Sequence, residues 1–178
     1  MARIPSVSKE NAQGELLDIY QQLEKKMGKV INIFQVMGNS PVTLKGFLAL
    51  NQAAEQTTLS PEVREAIALL VGQSNQCNYC LSAHSAIAKK VGLTEESILQ
   101  ARHGSSQDVK TREILNFVKK VIENRGKVSD QDVSHLKHSG VSDKELVEIV
   151  FLISINLFTN YFNLIADTKI DFPEVPKI

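Results

Sequence analysis

The chain lacks a surplus of either charge: Lys plus Arg number 20 and Asp plus Glu number 20 in 178 residues. That balance excludes a general nucleic-acid or anionic-membrane binder, because phosphate surfaces are held by clustered positive charge. The pairs Lys25-Lys26, Lys89-Lys90 and Lys119-Lys120 sit among helix-forming residues and read as solvated helix faces. No apolar core follows Arg3 in MARIPSVSKENAQGELL, so no secretory signal is expected there. No alternation of apolar and polar residues reaches convincing strand length. Cysteine is scarce as well, with two in the chain. Without an export signal the expected compartment is the reducing cytosol, where a C-x-x-C pair is more often catalytic or metal-binding than a structural staple.

The remaining composition, 43% apolar against 22% charged, suits one soluble domain with a sizeable core over residues 1–178. The segment Leu146 to Ile165 is apolar enough to suggest a membrane span. It carries Glu148, Asn156, Asn160 and Asn163, however, which would be costly against lipid. A buried helix or a subunit interface is the expectation, with no membrane partner.

Helical periodicity runs almost throughout. Ser8 is placed to cap a first helix ending at Gly28, and Pro41 to open another after the short apolar segment Val30–Gly38. Ser60-Pro61-Glu62 is a strong helix start, with its helix stopping near Gly72. The next helix carries Cys77, with Asn75 as its expected cap, and runs to Gly92. A short helix follows from Thr94 to Gly104, and two more run over roughly Asp108 to Asn124 and Ser129 to Gly140. A last helix pair opens at Ser142, and the DFPEVPKI ending is extended. An all-α fold follows, which excludes a thioredoxin reading of C-x-x-C, since that needs a βαβ context.

The chemistry concentrates in EAIALLVGQSNQCNYCLSAH, which reads E-x11-C-x2-C-x3-H through Glu65, Cys77, Cys80 and His84. On one helix the two cysteines and the histidine fall within roughly a 60° arc. Two α-carbons three apart lie about 5 Å from each other, within disulfide reach. A thiolate at a helix N-terminus is favoured by free N–H groups and the dipole. His84 can exchange a proton near neutral pH, and Glu65 can orient the imidazole or extend the relay. Taken singly, the cysteines could be small core residues, His84 a hydrogen-bonded histidine and Glu65 a solvated acid. Their conjunction points to a thiol redox site with its core at about 59–92. Zinc is the competing occupant, since all four side chains are acceptable ligands; against it, the chain has apolar helices enough to fold without metal. His103, His135 and His138 lie near helix ends or among lysines and read as cap or surface groups.

A shift of 83 residues lays SPEVREAIALL over DKELVEIVFLI, matching Glu65, Cys77, Cys80 and His84 to Glu148, Asn160, Asn163 and Asp167. This register predicts a duplicated helical hairpin whose second copy buries these four polar residues as a cluster. Apolar residues around it, with Leu152, Ile153, Phe158 and Phe162, are expected to reach a subunit interface.

The stretch from Leu59 to Gly92 resembles the alkylhydroperoxidase D-like core of the carboxymuconolactone decarboxylase superfamily, and NLFTNYFNLIADTKIDFPEVP is similar to its peroxidase-related branch. The resemblance implies an all-α fold of two pseudo-twofold-related hairpin halves, a homo-oligomer (commonly a trimer or hexamer) and a thiol peroxidase without a cofactor. Its substrates would be a hydroperoxide and a thiol or dithiol reductant, protein or lipoyl-type. Cys80 would be the peroxidatic thiol and Cys77 its resolving partner, with His84 and Glu65 as proton relay. Some members place a histidine before the second cysteine; Tyr79 stands there here, leaving the relay one imidazole shorter. Two rivals remain: a decarboxylase or lactone-processing enzyme, whose relatives lack the dithiol, and a non-enzymatic redox or zinc-dependent interaction protein.

Overall fold

Nine α-helices and no strand are present among the residues described, 2–178, in a computed structural model. A 3₁₀ turn over Lys9–Asn11 precedes α1 (Glu15–Met27), α2 (Asn32–Met37) and α3 (Pro41–Glu55). Then come α4 (Pro61–Ser74), α5 (Asn78–Lys90), α6 (Glu95–Arg102), α7 (Val109–Glu123), α8 (Asp130–His138) and α9 (Asp143–Ala166). Most starts follow capping chemistry. Ser60, Thr94 and Asp108 each accept the N–H three residues on, and Ser129 and Ser142 form reciprocal boxes with Asp132 and Glu145.

The centre of the molecule is α4, which packs against α5, α6, α7 and α9. It is buried continuously from Ala66 to Gly72, as its nearly unbroken apolar sequence requires of a helix covered on all sides. Around it one contiguous core draws on α1 through α9, including Tyr20, Leu44, Ile67, Leu115 and Ile149. The helix α9 meets a length-and-composition test for a membrane span. Half of its most apolar window is nonetheless buried inside the chain, against α4, α3, α5 and α7.

Three expectations need correction. Ser8 heads only the 3₁₀ turn and makes no side-chain cap; α1 is entered through Gly14, whose φ of 53° is open to glycine. Asn75 closes α4 instead of opening α5, and α4 runs two residues past Gly72. The last helix pair is one 24-residue helix, because nothing between Asp143 and Ala166 is a glycine or proline able to break it. Beyond Asp167 the tail is extended and carries Pro173 and Pro176. Residues 142–175 therefore hold no counterpart of the α4–α5 hairpin, and the 83-residue register does not describe a duplicated one.

Candidate active site

The site is built at the turn between α4 and α5. Gln76 adopts a left-handed conformation, φ 55°, directly after the helix end. This lets the Cys77 N–H reach back to the Gly72 carbonyl at 3.0 Å and the Gln76 N–H to Gln73 at 3.1 Å. The two bonds are the six-to-one and five-to-two pair that closes a helix over a left-handed residue. Cys77 ends that motif and also caps α5, its Sγ accepting the Cys80 N–H at 3.3 Å. One residue thus terminates one helix and starts the next, with its sulfur at the mouth of α5.

Cys77 and Cys80 are joined as a disulfide across a Cα–Cα distance of 5.3 Å, as the spacing predicts. Both are nearly fully buried. Glu65 on α4 and His84 on α5 also meet, with Glu65 Oε2 and His84 Nδ1 2.8 Å apart and both side chains partly exposed. A carboxylate there accepts a hydrogen bond from Nδ1–H, which leaves Nε2 as the free ring nitrogen. The structure thus forms the two pairs separately. Among the described residues no hydrogen bond links the imidazole to either sulfur, and no three His, Cys, Asp or Glu side chains gather as a metal site would.

Sequence reading missed what the asparagines of α9 do. Asn163 Nδ2 lies 3.4 Å from Cys80 Sγ, and Asn160 Oδ1 accepts Asn75 Nδ2 at 3.0 Å, tying the turn before Cys77 to α9. Glu148, by contrast, is two helical turns and more away. It accepts the Thr58 backbone N–H at 2.9 Å and the Thr58 hydroxyl at 2.6 Å, while Asp167 is an exposed left-handed C-cap. The expected four-residue cluster does not form. The signal was present in another form: the register that laid Asn163 over Cys80 paired two residues that touch.

Tyr79, between the cysteines, turns away from them. Its hydroxyl donates to Asp171 Oδ1 at 2.9 Å and accepts the Ile33 N–H at 3.3 Å, and its ring meets Phe172 edge-on. Burial, with the Asp171 charge adding to it, pushes the phenol well above its ordinary pKa, so it remains a donor. Asp171 also holds Lys29 Nζ at 3.2 Å and the Asn32 N–H at 3.3 Å, and Arg102 donates to Pro176 O at 2.9 Å. The extended tail is strapped beside the thiols by these contacts. Between tail and α5 lies a cleft of about 630 Å³ lined by Cys77, Tyr79, Asn163, Leu164, Thr168 and Lys169. Cys80, His84 and Glu65 do not line it.

The carboxymuconolactone decarboxylase family profile matches residues 41–106, a span from the start of α3 past α6 that contains Glu65, Cys77, Cys80 and His84. Over that span the chain is similar to the carboxymuconolactone decarboxylase family. Its AhpD-like fold extends well beyond the matched span. A peroxidase-related protein from Ralstonia eutropha, with an AhpD core, superposes with a TM-score of 0.86 at 21% identity, covering 96% of this chain and 92% of that one. A peroxidase-related protein from a Silicibacter species gives 0.82 at 21% identity, over 95% and 94%. A variant of the debrominase Bmp8 in complex with 2,3,4-tribromopyrrole gives 0.79 at 20% identity, over 96% and 92%. No curated protein gives a significant match. Likeness at this identity fixes the fold and leaves the substrate of this chain to its own residues.

Proposed function

We propose that this protein is a dithiol-dependent peroxidase or disulfide reductase that reduces hydroperoxides through Cys77 and Cys80. The observation that carries the reading is a bonded C-x-x-C pair at a helix mouth, buried beside a Glu65–His84 pair of relay chemistry. The Cys80 thiolate attacks a peroxide oxygen and breaks the O–O bond, giving a sulfenic acid and an alkoxide that leaves as alcohol after taking a proton. The Cys77 thiol condenses with the sulfenic acid, releasing water and forming the disulfide. An external dithiol then restores both thiols and leaves as its own disulfide. His84, oriented by Glu65, supplies and recovers the protons. The assignment of Cys80 as attacking thiol follows the family resemblance, and the reducing cytosol is the setting that regenerates it.

Assembly as a homo-oligomer belongs to the same proposal. Leu152 and Ile153, expected at an interface, are buried within the chain. The face of α9 left open instead presents Val147, Val150, Phe158, Tyr161 and Ile165, all more than a third exposed. Helix-long apolar faces of this kind on a small protein are characteristically covered by a second copy.

The debrominase among the fold neighbours supports a second reading, in which the same dithiol supplies electrons to a carbon–halogen bond. Consumption of hydroperoxide with a dithiol reductant, run beside a brominated pyrrole, tests both. Turnover of peroxide alone supports the first reading. Debromination alone replaces it, and neither activity, with thiols that stay unreactive, returns the chain to a binding role.

A further inference from the structure

We propose that Asn163 belongs to the redox site, as the donor that stabilises the Cys80 thiolate whenever the Cys77–Cys80 bond is open. The inference rests on the thiol chemistry proposed above. It starts from a residue whose burial stability alone does not explain. Asn163 is 4% exposed on the core side of α9, where Asn156, Thr159 and Asn160 are buried too, and among the described residues its Oδ1 has no hydrogen-bond partner. Among the described residues its Nδ2 has one partner, Cys80 Sγ at 3.4 Å. A buried amide satisfied on one side by a sulfur is costly, and an aliphatic side chain of similar size would pack there without that cost.

The partner changes character with redox state. In the disulfide, sulfur is a weak acceptor, and the contact offsets little of the amide's desolvation. A thiolate is a charged acceptor, and hydrogen bonds to it are roughly twice as strong as neutral ones. Asn163 therefore contributes most when Cys80 is reduced and ionised. The orientation of the amide supports this. Exchanging its oxygen and nitrogen would turn Oδ1 on the sulfur and aim both Nδ2 hydrogens where Oδ1 now finds no partner, so nothing recommends the exchange.

The donor is also held in place. The Asn163 carbonyl accepts the Asp167 and Thr168 N–H groups at the end of α9, fixing the backbone beneath the side chain. One turn earlier, Asn160 secures the α4–α5 turn through Asn75. The two sulfurs are consequently served by different donors: Cys77 by the backbone N–H of Cys80, and Cys80 by a side chain of α9. Only the second can be removed by substitution. During reduction, an incoming thiolate meets Cys77, the cysteine that lines the cleft. A new S–S bond forms at Cys77, the old one breaks, and the electron pair stays on Cys80 Sγ as a thiolate that accepts a hydrogen bond from the Asn163 amide. The second thiol of the dithiol then displaces Cys77.

The test is the acid–base titration of Cys80 followed by thiolate ultraviolet absorbance, in Cys77→Ser so that a single thiol is read. Asn163→Leu should move the midpoint up by about one pH unit, the loss expected for one hydrogen bond to a charged acceptor. Asn163→Asp, nearly isosteric and so the safer variant for folding, should raise it at least as far, because a carboxylate then faces the thiolate. In the two-cysteine protein Asn163→Leu should shift the exchange equilibrium with dithiothreitol about tenfold toward the protein disulfide. Midpoints unchanged in both folded variants would overturn the proposal. None of these readings uses peroxide, so failure of the peroxidase assignment would leave them standing, and their failure would leave turnover untouched.

Discussion

At the residue scale, the site is specified by a handful of positions that each carry a distinct task. Cys80→Ser is expected to abolish peroxide consumption, and Cys77→Ser to allow one attack and then leave Cys80 as a trapped sulfenic acid. Dimedone labelling followed by mass spectrometry checks this; labelling confined to Cys77 would reverse the roles. His84→Ala and Glu65→Gln should each slow turnover by about 10²- to 10⁴-fold, the usual contribution of positioned acid–base groups, while the disulfide still forms. Wild-type rates would make the pair structural. Gln76 is the strained point of the turn, with a side chain at φ 55° where glycine is at ease. Gln76→Gly should raise stability by about 0.5–1 kcal/mol in urea unfolding, the left-handed penalty less the added chain entropy. The sequence made Glu65, Cys77, Cys80 and His84 legible because their types and spacing are unusual together. Asn163 and Asn75 were not legible in their roles, since an asparagine in an apolar helix signals a cost without naming its partner.

Among the elements, helix starts were readable wherever a capping side chain or a first-turn proline marks them, as at Ser60-Pro61, Thr94, Ser129 and Ser142. They failed where the backbone itself does the work. Asn75 looks like a cap but its side chain reaches back to Val71 O at 2.9 Å, and the cap of α5 is a cysteine, a residue not ordinarily read as one. The unbroken length of α9 was obscured by the internal match, which imposed a hairpin on a helix with no breaker. The tail was correctly expected to be extended, but its strapping depends on pairings between residues more than seventy positions apart in sequence, which periodicity does not reveal. Tyr79→Phe removes the donor from a largely buried Asp171 carboxylate, so a loss of about 1–3 kcal/mol is expected. Proteolysis within residues 168–178 should quicken in parallel; an unchanged melting curve and cleavage rate would show that the strap is carried by Lys29 and Asn32.

For the whole molecule, the all-α class followed from helical patterning and the absence of strand alternation, and the fold neighbours share it across nearly the full chain. Which apolar residues of α9 remain outside was not legible, because both of its faces are apolar and only packing against α4 distinguishes them. Tyr161→Glu combined with Ile165→Glu should shift the light-scattering mass toward one chain without loss of helicity. An unchanged mass would place any interface elsewhere.

The central claim is that Cys77 and Cys80 cycle between dithiol and disulfide at the expense of a peroxide. Thiol titration and intact mass, taken on the fully reduced protein before and after one equivalent of hydroperoxide, measure this directly. Two titratable thiols are expected to fall to none, with the mass lower by two hydrogens per chain. Two thiols still titrating in a protein that remains folded would contradict it.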